Sequence, residues 1–217
     1  MTMTDPATAG GNGAAGRTGA RLGSPGQQHI GALVSALTVL DTRLLDDWGQ
    51  RLAAVLGQGR RLLVAANGES AALAQDLSAQ FTGRLAADRT AAAVVLNADR
   101  SAVADRQYDE LFARQVRAYG RPGDVLLAIS TSGRNRNLLR AAAAARAGGI
   151  AAWCLTGPAP NPLADACEEA VCVYPAGARA ISLTATVHEA HQVALHLICL
   201  SFDGAEITGQ NGREQRP

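Results

Sequence analysis

Asp124 to Ala147 reads DVLLAIS, TSGRNRN, LLRAAAAARA: a short apolar run, a polar turn around one glycine, and a helix-forming segment about three residues further on. The order strand, polar turn, helix creates an anion site. The first amides of a helix lack intrahelical acceptors, and its dipole favours negative charge at that end. Ser130, Thr131 and Ser132 beside Gly133 therefore suit a phosphate monoester. An ordinary Ser/Thr cap on a βα unit is the plainer reading of the same residues. No GxxxxGK[ST] pattern is present, which speaks against a nucleoside-triphosphate loop. The segment predicts a sugar-phosphate cradle.

Upstream, RLLVAANGESAALAQDLSAQFTGRL repeats the order, with a strand over 61–65, a turn at Asn67 and Gly68, and a helix from about Ser70 to Phe81. Ser70 can cap that helix or add a ligand hydroxyl. Asp76 and Gln80, four residues apart, share one side of it, as a polar site or a solvated face. AAAVVL at 91–96 reads as a strand, followed by an irregular section containing Asp99 and Asp105. A helix through Leu111 and Tyr119 then stops at Pro122 and Gly123. Downstream, IAAWCLTG is a further strand, PAPNPLADACEEA a turn and short helix, and VCVYP the last strand. This alternation predicts an α/β protein: an open, mostly parallel sheet with helices on both faces. Ligands on such sheets gather at strand carboxyl ends, where both polar turns fall.

Residues 1–28, rich in Gly, Ala, Thr and Pro without periodicity, are expected to form a mobile tail ahead of a domain over 29–203. His29 at the boundary reads as incidental. Between Ile30 and Leu56 the leucines recur at helical spacing, giving one long helix or two broken near Asp46. The last long helix is expected from Ile181 to about Phe202, with a flexible tail over 204–217. On it, His188, Gln192 and His196 are four residues apart, with His191 one turn from His188. Such a cluster offers acid/base groups or metal ligands, or simply core and cap histidines. HEAHQ is not HExxH, so a zinc-protease helix is unsupported.

Composition removes whole reaction classes. The 217 residues, 47% of them hydrophobic, suffice for one well-filled domain. A formal charge of +1 with no long basic stretch, and 4% aromatic residues, give no reason to expect direct nucleic-acid binding. All 20 basic residues are arginines, so lysine Schiff-base chemistry, including lysine-held pyridoxal phosphate, has no residue to run on. Cys154, Cys167, Cys172 and Cys199 are scattered without a CxxC arrangement and read as free thiols. Neither a signal peptide nor an 18-residue apolar span is visible, so a soluble cytoplasmic protein is expected.

The set ANGES before QFTGR, GDVLLAISTSG, AWCLTG and HEAHQVALH resembles the sugar isomerase (SIS) domain family over about Ile30 to Leu200. Within it, the similarity is to the phosphoheptose isomerases and their replication-initiator-associating relatives. The resemblance implies a doubly wound, flavodoxin-like topology. It implies phosphate binding by Ser130, Thr131 and Ser132, with Asn135 where the family has a further serine. Its first loop falls on Asn67, Gly68 and Ser70, with Glu69 where a glycine is usual. Arg84 and Asp105 fall on further substrate positions. Of the family's proton-transfer pair, the histidine is kept as His196. The glutamate position is Gln80, whose amide cannot serve as a carboxylate base. Metal positions fall on Asp76, Gln80, His188 and His196, so Zn2+ is a further implication, and no nucleotide or organic cofactor is expected. Self-association as a homotetramer is implied too. His188 or His196 can alternate as base and acid, because imidazole titrates near neutral pH. The activity implied is aldose–ketose isomerisation of sedoheptulose 7-phosphate or a related phosphorylated sugar. The alternatives are a phosphosugar-binding protein without turnover, and a protein-interaction factor of the initiator-associating kind.

Overall fold

The computed structural model describes residues 24–84, 91–97, 108–178 and 180–214. Five strands pair in parallel throughout: β1 (Arg61–Ala66), β2 (Ala92–Val95), β3 (Val125–Ser130), β4 (Ala151–Thr156) and β5 (Glu169–Cys172). Their order is β2-β1-β3-β4-β5. This is the flavodoxin-like doubly wound arrangement, whose ligand crevice lies between β1 and β3, where the chain switches faces. The two core clusters show the switch. On one face, Leu62, Val64, Leu127 and Ile129 pack with α1 (Pro25–Thr38), α2 (Thr42–Gly57), α3 (Ser70–Arg84) and α7 (Ala180–Glu214). On the other, Leu63, Ala65, Leu126 and Ala128 pack with α4 (Leu111–Tyr119), α5 (Arg136–Ala147) and α6 (Pro162–Ala166). All six residues of β3 are buried, which is why DVLLAIS shows a continuous apolar run instead of alternation.

Two helix bounds differ from the sequence reading. The first helical stretch is broken at 39–41, not near Asp46, because Asp41 accepts the Leu44 amide at 3.1 Å and caps α2. Asp46 instead lies inside α2 and accepts the Ser201 hydroxyl from α7. α7 runs on past Phe202 to Glu214. α1 opens with a capping box between Ser24 and Gln27, with Pro25 in the first turn. Gly49 lets α2 and α7 approach closely, since a Cβ there would meet Ser201 Cβ at 2.5 Å and the Ile198 carbonyl at 2.6 Å.

The amino-terminal edge of the sheet is closed by polar groups that satisfy one another. Asp124, only 1% exposed, accepts the Arg61 amide at 2.9 Å and the Arg121 amide at 2.8 Å. Nearby, Trp48 stacks on Trp153 with centroids 5.0 Å apart, and the Arg51 guanidinium sits 4.5 Å from the Trp153 ring centre. The Glu169 carboxylate takes the Trp48 indole N–H and both Arg51 terminal nitrogens. The Arg51 hydrogen bonds hold the Glu169 carboxyl below its usual range, and the same bonds raise Arg51. Among the described residues no helix is long and apolar enough to cross a membrane.

Candidate functional site

The loops after β1 and β3 stand side by side because those strands are neighbours, with Ala66 in register with Ile129. In the β3 loop, Ser130 is buried and its hydroxyl does two jobs. It accepts the Gly133 amide at 3.0 Å and donates to Asn135 Oδ1 at 2.7 Å. Gly133 has φ +64°, and a Cβ there would run into the side chains of Asn161 and Thr156. Only glycine satisfies both the turn and the contact. Because the Asn135 side chain is tied to Ser130, α5 has no side-chain cap and its opening turn is left to an anion. Ser132 is exposed at the loop's tip, with its oxygen 3.4 Å from the Arg134 amide.

The β1 loop is clamped to this one by amides. Asn67 Nδ2 donates to Asn137 Oδ1 and Asn137 Nδ2 donates back to Asn67 Oδ1, both at 2.9 Å, while the Tyr108 hydroxyl also donates to Asn67 Oδ1 at 2.9 Å. The sequence reading missed Asn137 and Tyr108. The signal for Asn137 was present: it shares the face of α5 occupied by Ala141 and Ala145 and is fully buried there. An amide on an apolar stripe must find a partner.

Together the loops wall a cavity of about 430 Å³. Eight of the expected residues line it: Asn67, Gly68, Ser70, Ser130, Thr131, Ser132, Asn135 and His188. Glu69 and Thr184 join the wall, and Ile129 its floor. His188 reaches in from the first turns of α7, with Nε2 3.4 Å from the Glu69 carbonyl oxygen. That contact is satisfied with the proton on Nε2, which leaves Nδ1 as the basic nitrogen. One turn on, His191 is fully buried, and neither ring nitrogen meets a partner in good hydrogen-bond geometry. Burial pushes it down to about 4, only partly offset by the Thr156 backbone, so its imidazole is neutral.

The remaining expected residues lie elsewhere. Gln80 Nε2 donates to Asp76 Oδ2 at 2.7 Å along α3, and neither residue lines the cavity. α3 starts at the cavity with Ser70 and runs away from it, so Asp76 is about 9 Å further along its axis. His196 is exposed, two turns beyond His188 on α7. Of the four expected metal positions, Asp76, Gln80, His188 and His196, only His188 lines the cavity of the single chain. Among the described residues, no three His, Cys, Asp or Glu side chains come together to hold an ion, so the Zn2+ expectation finds no site within one chain. Asp105 and the side chain of Arg84 lie outside the described residues.

Comparison with known proteins agrees with this geometry. Residues 27–157 match the SIS domain family. The phosphoheptose isomerase of Streptomyces coelicolor is 53% identical over 170 residues, covering 76% of this chain and 71% of that protein. That of Thiobacillus denitrificans is 41% identical over 155 residues, covering 68% and 76%. Among solved structures, the phosphoheptose isomerase of Neisseria gonorrhoeae superimposes with a TM-score of 0.68 at 32% identity, over 82% of this chain and 94% of that one. The Francisella tularensis phosphoheptose isomerase shares the fold, with a TM-score of 0.70 at 24% identity over the same shares. The chain belongs to the SIS-domain family and, within it, to the phosphoheptose isomerase group.

Proposed function

We propose that the protein is a phosphosugar isomerase that interconverts sedoheptulose 7-phosphate and D-glycero-D-manno-heptose 7-phosphate. The carrying observation is that the uncapped α5 terminus with its hydroxyl loop and the His188 imidazole face one cavity of about 430 Å³. That volume is within the usual range for a small-molecule site. The phosphate is held by the Thr131 and Ser132 hydroxyls and the opening turn of α5, which leaves the carbonyl end of the sugar to the opposite wall. Isomerisation there requires a proton to leave the carbon beside the carbonyl, a proton to pass between the two oxygens, and a stabilised enediolate between those events. His188 is suited to the oxygen-to-oxygen transfer, since an imidazole can accept a proton at one nitrogen and donate one from the other.

The proposal includes a homotetramer in the cytoplasm. Ile30 and Val34 on α1 and Leu200 on α7 are more than half exposed, and such apolar surface suits a contact between copies. The four free cysteines fit a reducing compartment.

A second reading, phosphosugar binding without turnover, is favoured by one observation: Gln80 is an amide bound to Asp76 and stands outside the cavity. Incubation with sedoheptulose 7-phosphate in deuterium oxide separates the two. Deuterium at the carbon beside the carbonyl together with aldose product supports the isomerase. Calorimetric binding with neither leaves the binding protein.

A further inference from the structure

We infer that Glu69 is the carboxylate base of this cavity and that it works as a pair with His188. The inference rests on the isomerase reading above. Among the described residues lining the cavity, Glu69 carries a carboxylate and His188 an imidazole; the others carry hydroxyls and amides, or are a glycine and an isoleucine. The carboxylates expected to matter on α3 and its surroundings do not reach it: Asp76 is engaged by Gln80 on the helix surface.

The loop is built to hold Glu69 in place. Asn67 on one side is fixed by three hydrogen bonds, to Asn137 and Tyr108. Gly68 turns the chain at φ +54°, and Ser70 on the other side is buried as the first residue of α3. With both neighbours anchored, the backbone of residue 69 has little freedom, and its carbonyl is where His188 Nε2 rests at 3.4 Å. One residue thus lines the cavity with an acidic side chain and meets the imidazole through its carbonyl. The Glu69 side chain itself is exposed, so a substrate entering the cavity can reach it.

The step balances without a co-reactant. The Glu69 carboxylate takes the proton from C1 of the ketose, breaking that C–H bond and forming the enediolate. The resulting carboxylic acid gives the proton to C2. His188 carries the proton lost by O1 to O2. One C–H and one O–H bond break and one of each forms, so ketose becomes aldose with no change in composition.

The test compares the full-length wild type with Glu69→Gln and Glu69→Asp, using sedoheptulose 7-phosphate, deuterium exchange, steady-state rates over pH, and calorimetry. Loss of a positioned general base lowers kcat by about 100- to 10,000-fold. Glu69→Gln is expected to fall in that range while binding stays within about threefold. Glu69→Asp, which keeps the carboxylate on a shorter stem, should keep intermediate activity. A Glu69→Gln enzyme within about fivefold of wild-type kcat would overturn the assignment and leave the isomerase intact. Equal loss of binding and turnover would overturn it as well, making Glu69 a ligand-holding residue. A wild type that binds the sugar phosphate with neither exchange nor product would overturn the isomerase reading, and the base with it.

Discussion

At the amino-terminal edge of the sheet, Asp124 takes the Arg61 and Arg121 amides and Glu169 takes Trp48 and Arg51; at the opposite edge, Ser130 bonds within its own loop and Asn67 pairs with Asn137, but Ser132, Thr131 and His188 line a cavity. The two ends are built from similar residue types and are separated by six-residue strands, about 20 Å. What differs is closure. Where donors and acceptors cancel inside the chain, the result is a strut, and its loss costs stability. Where an inner ring of bonds fixes the loops while an outer set of groups lines a cavity, the result is a candidate site. Ser130 and Ser132, two residues apart, fall on opposite sides of that division.

Substitutions can break or sharpen this contrast. The largest effect is expected from Asp124→Ala, which strands the Arg61 and Arg121 amides beside Arg61: about 3 kcal/mol of stability, read as a lower urea midpoint. Phosphosugar affinity of the folded fraction should be unchanged. An equal loss of affinity would mean that the two edges are not independent.

Acid should act almost as strongly through His191. Its folded value of about 4 lies below the ordinary 6.5, so the unfolded chain takes up the proton first. Stability contributed by the neutral imidazole is complete above pH 6.5, falls as pH drops from there, and stops falling near pH 4. The span corresponds to about 3 kcal/mol. Unfolding curves of His191→Gln should lack that stretch of slope, and an unchanged pH dependence would sink the assignment. Glu169, with its carboxyl held low by Arg51, adds a further loss only as pH falls below the ordinary carboxylate range.

Ser132→Ala belongs to the open edge. It should weaken sedoheptulose 7-phosphate binding by about fivefold to tenfold, near 1 kcal/mol, with no change in melting temperature. Unchanged calorimetric affinity would remove Ser132 from the cradle. The smallest effect is expected from Gln80→Glu, which replaces the bond to Asp76 by two like charges four residues apart. About 0.3–0.5 kcal/mol of stability should go, with ligand affinity unaltered. A change in affinity would place Gln80 at the site after all.

The strands and both cradle loops were legible because they rest on local chemistry: an apolar run, a glycine turn, a hydroxyl at a helix start. A parallel sheet with helices on both faces followed from βα alternation, while its doubly wound topology was implied by the family resemblance. Helix bounds were less legible. Either Asp41 or Asp46 can break a leucine-rich segment, and only the Leu44 amide decides between them. Site residues on helices were the least legible. Asp76, Gln80 and His196 have suitable chemistry and spacing, but whether a helix position reaches a cavity depends on where the axis points, which no local pattern records. Asn137 and Tyr108 show the reverse: the apolar stripe around Asn137 says that its amide needs a partner, but nothing local says that the partner of either residue is Asn67, 70 and 41 residues away.

α7 has 35 residues in one uninterrupted helix, about 50 Å end to end. His188 sits in its first turns, and Gly49 seats its middle against α2. The geometry is that of a rod on a bearing. One continuous helix therefore links the cavity wall at His188 to the α2 contact at Gly49.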